Sequence, residues 1–158
     1  MKTNDEKLIG IIKSNNLLFS TSKVGKMHID IEEKLNIHNV LALYQFAKLY
    51  TFYSLAETTF NFIERCFTIL AETNNFSELD FTLVTTILAS SQLHITSELE
   101  VFNAANTWIN YNFTERSKFA KVLLLKVRLP LLSCHALKHL SDEPSSFSEI
   151  YECAAILK

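Results

Sequence analysis

A chain of 158 residues is long enough for one domain with a real core and too short for two full ones. Hydrophobic residues make up 48% of it, twelve Phe among them, and the mean hydropathy is +0.12; such a chain is globular, with either a large core or apolar surface that awaits a partner. The net charge of −2 gives no electrostatic case for nucleic acid, and three cysteines without close spacing (Cys66, Cys134, Cys153) exclude a disulfide framework.

Two glycines and two prolines are too few for the turns of an all-β protein. Residues 1–35 are the weakest part of the pattern: Lys7–Lys13 allows one helical turn or two, and KMHIDI alternates like a short strand. Six lysines and five acids are mixed through this stretch, which is expected to be weakly ordered. From Asn39, a plausible cap, the residues Val40, Leu41, Tyr44, Ala47 and Leu49 predict one helix. Ser54 and Glu57 stand as a capping box at the head of a second, carried by Leu55, Phe60, Ile63, Phe67 and Leu70. The short connection predicts an antiparallel hairpin.

A turn at 76–79 leads to a third helix over Phe81–Ser90, and LHIT breaks the pattern. Ser97 and Glu100 form another capping box. Behind it Val101, Phe102, Ala105, Trp108 and Ile109 make one broad apolar stripe, with Glu98, Asn103, Asn106 and Asn110 falling elsewhere. A further helix is expected from about Thr114 to Val127, ended by Pro130. Ser133 then caps CHALKHL, and SSFSE opens a last helix. The fold class is all-α, stacked antiparallel helical hairpins over residues 36–140, with a C-terminal helical tail over 141–158.

Charge is segregated along the chain. From Cys66 to Glu115 there are six acids and no Lys or Arg; from Arg116 to Arg128 there are five basic residues and no acid. Such a run is either a solvated face or a basic strip for an acidic protein partner. Asp5 and Glu6 ahead of LIGII argue against a signal peptide, and the run VLLL is far short of a membrane span. A reducing compartment, cytoplasm or nucleus, fits the cysteines, and without secretion the acceptor patterns at Asn75 and Asn112 carry nothing.

No chemistry is written in the sequence. His135 and His139 with Cys134 have metal-like spacing, but no HEXXH glutamate or paired CxxC supports them. Glu32–Glu33 and Asp142–Glu143 sit in polar stretches and suit solvated surface, and no Gly-rich phosphate loop exists. Cys66 suits a small buried hydrophobe. No enzyme, no cofactor and no metal are expected.

Four stretches in order resemble the BACK domain of the BTB–kelch (kelch-like) family: EKLNIHNVLALYQFAKLY; SLAETTFNFIERCF; FSELDFTLVTTILASSQLHITSELEVFNAANTWI, with its F-x-x-L, L-x-v-x-S-E and v-F-x-a…W; and ERSKFAKVLLLKVRLPLL. At most the tail of a BTB domain precedes them (Glu32–Leu35), and no Gly-rich kelch repeat follows Leu140, so a fragment, shortened isoform or truncated relative is expected.

Members of that family are generally substrate adaptors of cullin-3 ubiquitin ligases. The resemblance therefore implies a non-enzymatic scaffold whose first hairpin touches cullin-3, or one that binds a parent BTB–kelch adaptor. It puts candidate partner contacts at Tyr44, Phe46, Tyr50, Phe52 and Tyr53, against the alternative that most of these are core. Ser54, Glu57, Ser97, Glu100, Trp108, Arg116, Arg128 and Pro130 read as fold determinants, with the Trp108 indole on a carbonyl and Arg116 on an acid or a helix end. A free-standing helical binding module unconnected with ubiquitination is the competing reading.

Overall fold

A computed structural model describes residues 34–132. The fold is all-α: among the described residues there are α- and 3₁₀-helices and no strand. The possible strand at KMHIDI, the CHALKHL and SSFSE helices and the tail over 141–158 lie outside the described residues. The chain divides after Leu70 into two compact units.

In the first unit, α1 (Val40–Leu49) and α2 (Tyr53–Arg65) pack together as a hairpin. The cap of α1 lies earlier than its sequence position suggests. Asn39 makes no cap bond to the helix. Instead Asn36 Oδ1 accepts from the Asn39 N–H (3.1 Å) while Asn39 Oδ1 accepts from the Asn36 N–H (3.0 Å), a reciprocal capping box. The Val40 N–H already reaches the Asn36 carbonyl, so the first turn is wound before Val40. Val40, Leu41, Leu43, Tyr44, Phe46 and Ala47 are buried, an apolar face wider than one stripe. Leu49 departs from the expected pattern: it is 58% exposed, because 49 lies off the face that 40, 41, 44 and 47 share.

The α1–α2 connection is three residues long and closed by backbone bonds. The Phe52 N–H donates to the Ala47 carbonyl (2.8 Å) and the Thr51 N–H to that of Lys48 (3.4 Å), with Thr51 in the left-handed region (φ 59). This is a Schellman motif, completed by the apolar contact of Phe52 with Phe46. The Ser54–Glu57 box does not form. With Phe52 at the cap position, Ser54 lies inside the first turn of α2, and no side chain caps the helix. Inside α2 the buried Thr59 hydroxyl donates to the Leu55 carbonyl (2.6 Å). Cys66 ends α2, with α3 (Phe67–Ala71) directly after it; its thiol is free and half-buried rather than fully enclosed.

In the second unit, α4 (Asn74–Ser77) is capped by Thr73, and α5 (Phe81–Leu88) by Asp80, whose carboxylate accepts from the Leu83 N–H (2.8 Å). Helix α6 (Glu98–Tyr111) is the centre: α4, α5, α7 (Phe113–Arg116), the 3₁₀ turn Ser117–Phe119 and α8 (Ala120–Leu124) all pack on it. Its stripe of Val101, Phe102, Ala105, Trp108 and Ile109 is fully buried. The capping box at its head forms one residue off register. Ser97 accepts from Leu99, whereas Glu100 reaches back past Ser97 to the Thr96 N–H (3.0 Å) and hydroxyl.

The single helix expected over 114–127 is broken instead at Ser117–Phe119. Arg116 is held on two carbonyls and Phe119 is stacked on Phe81 (centroids 4.2 Å, 18°), and the tighter 3₁₀ turn lets both be met. Pro130 lies within a 3₁₀ turn, Leu129–Leu131.

Candidate protein-interaction surface

The five aromatics assigned to partner contact separate into two groups. Tyr44 is 8% exposed and Phe46 9%, so the structure places both in the core of the hairpin, in line with the alternative that they are core. Tyr44 packs against Phe60 (5.3 Å), and burial raises its phenol pKa above the ordinary value. Phe46 clusters with Leu43, Ala47 and Leu55. Their positions follow from helical spacing, since 43, 44, 46 and 47 all face inward.

Tyr50, Phe52 and Tyr53 are exposed, Tyr53 over 82% of its surface. They are supported from beneath: Phe46 holds the Tyr50 ring at 4.7 Å and the Phe52 ring at 5.9 Å. Leu49, which the sequence reading placed in the helix pattern, joins them. The result is an apolar tip, Leu49, Tyr50, Phe52 and Tyr53, on a backbone fixed by the Schellman bonds and anchored to the core through one ring. Solvated apolar clusters on a rigid turn are unusual on a monomer and suit burial by a partner.

The remaining singled-out residues hold the second unit together. The Trp108 indole N–H donates to the Leu79 carbonyl (2.8 Å), as its sequence position led us to expect. Arg116 takes the helix-end option: its Nη1 donates to the carbonyls of Ser77 (2.6 Å) and Trp108 (2.8 Å), at the ends of α4 and α6. Its guanidinium also lies 4.1 Å from the Trp108 ring and 5.2 Å from Tyr111. Burial lowers the Arg116 pKa, with the Tyr111 and Glu115 charges opposing.

Glu98 was expected off the buried stripe, yet it is buried and bound to Arg128. One carboxylate oxygen accepts from the Arg128 backbone N–H (2.8 Å) and Nε (3.3 Å); the other lies 3.2 Å from Nη2. This clamp ties the head of α6 to the VRLP turn. The sequence pattern alone could not reveal it, because a glutamate beside an N-cap ordinarily faces water.

Among the described residues no group of His, Cys, Asp and Glu could hold a metal ion, and no helix is long and apolar enough to cross a membrane. Cys134, His135, His139 and Cys153 lie outside the described residues, as do Glu32–Glu33 and Asp142–Glu143.

The family that matches is BACK, "BTB And C-terminal Kelch", over residues 40–142. The chain belongs to the BACK family. That match takes in the aromatic tip, the Arg116 node and the Glu98–Arg128 clamp. The BACK chain is also similar to Kelch-like protein 7 of Rattus norvegicus, at 32% identity over 128 residues, which is 80% of this chain and 22% of that protein. Kelch-like protein 28 of Mus musculus is 31% identical over 127 residues, with the same coverage. Kelch repeat and BTB domain-containing protein 2 of Homo sapiens is 31% identical over 101 residues, 64% of this chain and 16% of that protein. The chain thus spans about a fifth of the length of the Kelch-like relatives it matches. The coarse reading of a protein-interaction module is what membership of this family supports.

Proposed function

We propose that this BACK chain is a non-enzymatic interaction scaffold serving a cullin-3 RING ubiquitin ligase, as the BACK part of a kelch-like substrate adaptor in cytoplasm or nucleus. Its docking edge is the tip Leu49, Tyr50, Phe52 and Tyr53. The observation that carries this reading is a set of large apolar side chains left in water on a turn closed by backbone hydrogen bonds. Such pre-organisation reduces the ordering cost of binding. Apolar burial is worth about 25 cal/mol per Å², so Tyr53 alone offers a partner roughly 3 kcal/mol of gross stabilisation.

The scaffold could equally engage a parent BTB–kelch adaptor through this edge and compete with it. Calorimetric titration of the chain against the N-terminal region of cullin-3, beside a full-length BTB–kelch adaptor, tests the reading. Saturable binding that is lost when Tyr50, Phe52 and Tyr53 become alanine supports it. No binding beside a working adaptor removes the cullin role and leaves a helical binding module unconnected with ubiquitination.

A further inference from the structure

The S-x-x-E pattern at Ser54 and Glu57 builds no capping box, so the pair is left without a structural task. A serine or threonine with an acid three residues on occurs at three described positions, Ser54, Ser77 and Ser97, and the structure separates them. Ser77 is 6% exposed, and its acid, Asp80, caps α5. The Ser97 hydroxyl accepts from the Leu99 N–H, and Glu100 is taken up by Thr96. Ser54 and Glu57 are both exposed, and neither side chain has a hydrogen-bond or ion-pair partner among the described residues. Both lie in α2 at i and i+3, so hydroxyl and carboxylate stand on one side of the helix.

A free hydroxyl with a free carboxylate one turn away is the substrate pattern of a kinase whose peptide groove is basic. We propose that Ser54 is a phosphorylation site for an acidophilic serine/threonine kinase, with Glu57 as the acid that the kinase reads. The Ser54 oxygen attacks the γ-phosphorus of ATP and the bond to ADP breaks. ADP leaves with the electron pair, and the hydroxyl proton passes to the catalytic base of the kinase. The first turn of α2, which no side chain caps, is the part of that helix that opens at least cost to enter a kinase cleft. The fold tolerates the product, since negative charge in the first turn of a helix is favoured.

The consequence falls on the aromatic tip, and this part rests on the docking role proposed for it above. Ser54 directly follows Tyr53, so the phosphate borders the apolar edge of Leu49, Tyr50, Phe52 and Tyr53. It carries a charge of about −1.5 to −2 at pH 7, which a partner covering that edge would have to strip of water. The unmodified tip docks, and the phosphorylated tip is released.

The test incubates the full chain with ATP, Mg²⁺ and an acidophilic kinase, beside a kinase that selects basic substrates, and maps phosphate by fragmentation mass spectrometry. Phosphate should appear on Ser54 with the acidophilic kinase alone, and neither kinase should modify Ser77 or Ser97. Glu57→Gln, an exposed change, should slow modification of Ser54 about tenfold. An unmodified Ser54 overturns the proposal, as does an unchanged rate in Glu57→Gln or modification of Ser77 as fast as that of Ser54.

The phosphorylated chain should then bind the N-terminal region of cullin-3 about tenfold more weakly than the parent, with a melting temperature no lower. Equal affinity of the two forms overturns the switch, and so does a loss of affinity that comes with a lower melting temperature. A parent chain that fails to bind contradicts the docking role of the tip alone, because the phosphate map decides the acceptor site without it.

Discussion

Thr51 is the residue at which the local conformation costs most. A β-branched side chain sits at φ 59, where glycine is the ordinary occupant of a Schellman terminus. Thr51→Gly should raise stability by about 1 kcal/mol in urea unfolding, through relief of that conformation, even after the entropy glycine adds to the unfolded chain. Thr51→Val, which keeps the branch, should bring no such gain. Tyr44 makes a second residue-scale prediction. Burial holds its phenol above the usual value near 10, so above that pH the unfolded chain releases its proton first. The folded state then binds more protons than the unfolded, and stability falls as pH rises through this range. Tyr44→Phe should flatten the fall in unfolding free energy measured between about pH 9 and 11.

At the scale of helices, the differences between pattern and structure come from capping. S-x-x-E is a sound signature, yet Ser54 and Glu57 form no box, because the Schellman bonds start α2 at Tyr53 and put Ser54 inside it. The box that does form uses Asn36 and Asn39, a pairing without the Glu or Gln by which such boxes are recognised. Asn36→Ala should therefore cost about 1 kcal/mol of stability, and Ser54→Ala less than about 0.5 kcal/mol, both measurable by denaturant titration. Helical periodicity was legible for α1, α2, α5 and α6 because their apolar residues repeat on one face. The break at 117–119 was not legible, since it answers to Arg116 and Phe119 meeting residues far back in sequence. For the same reason the aromatic run 44–53 could be identified as a whole, but its division into core and tip required the geometry of the hairpin.

Within the second unit, long-range polar bonds hold helices that apolar packing alone would leave free to slide. Trp108 reaches Leu79, Arg116 reaches Ser77, and Glu98 reaches Arg128. The S-E of one family-like stretch and the R of another are thus two ends of one clamp. Glu98→Ala strands the Arg128 backbone N–H and removes the ion pair, and should destabilise the chain by about 3 kcal/mol. Arg128→Ala, whose side chain is partly solvated, should cost less, since Glu98 keeps its bond to the backbone N–H.

A hairpin tip that serves as a binding edge should tolerate truncation in the fold but not in the complex. The most direct measurement is the Kd of the single variant Tyr53→Ala for the N-terminal region of cullin-3, taken with its melting temperature. A residue so exposed contributes little to the fold, so the melting temperature should stay within about 2 °C of the parent. Affinity should drop about tenfold or more. An unchanged Kd with the parent binding normally would contradict the account.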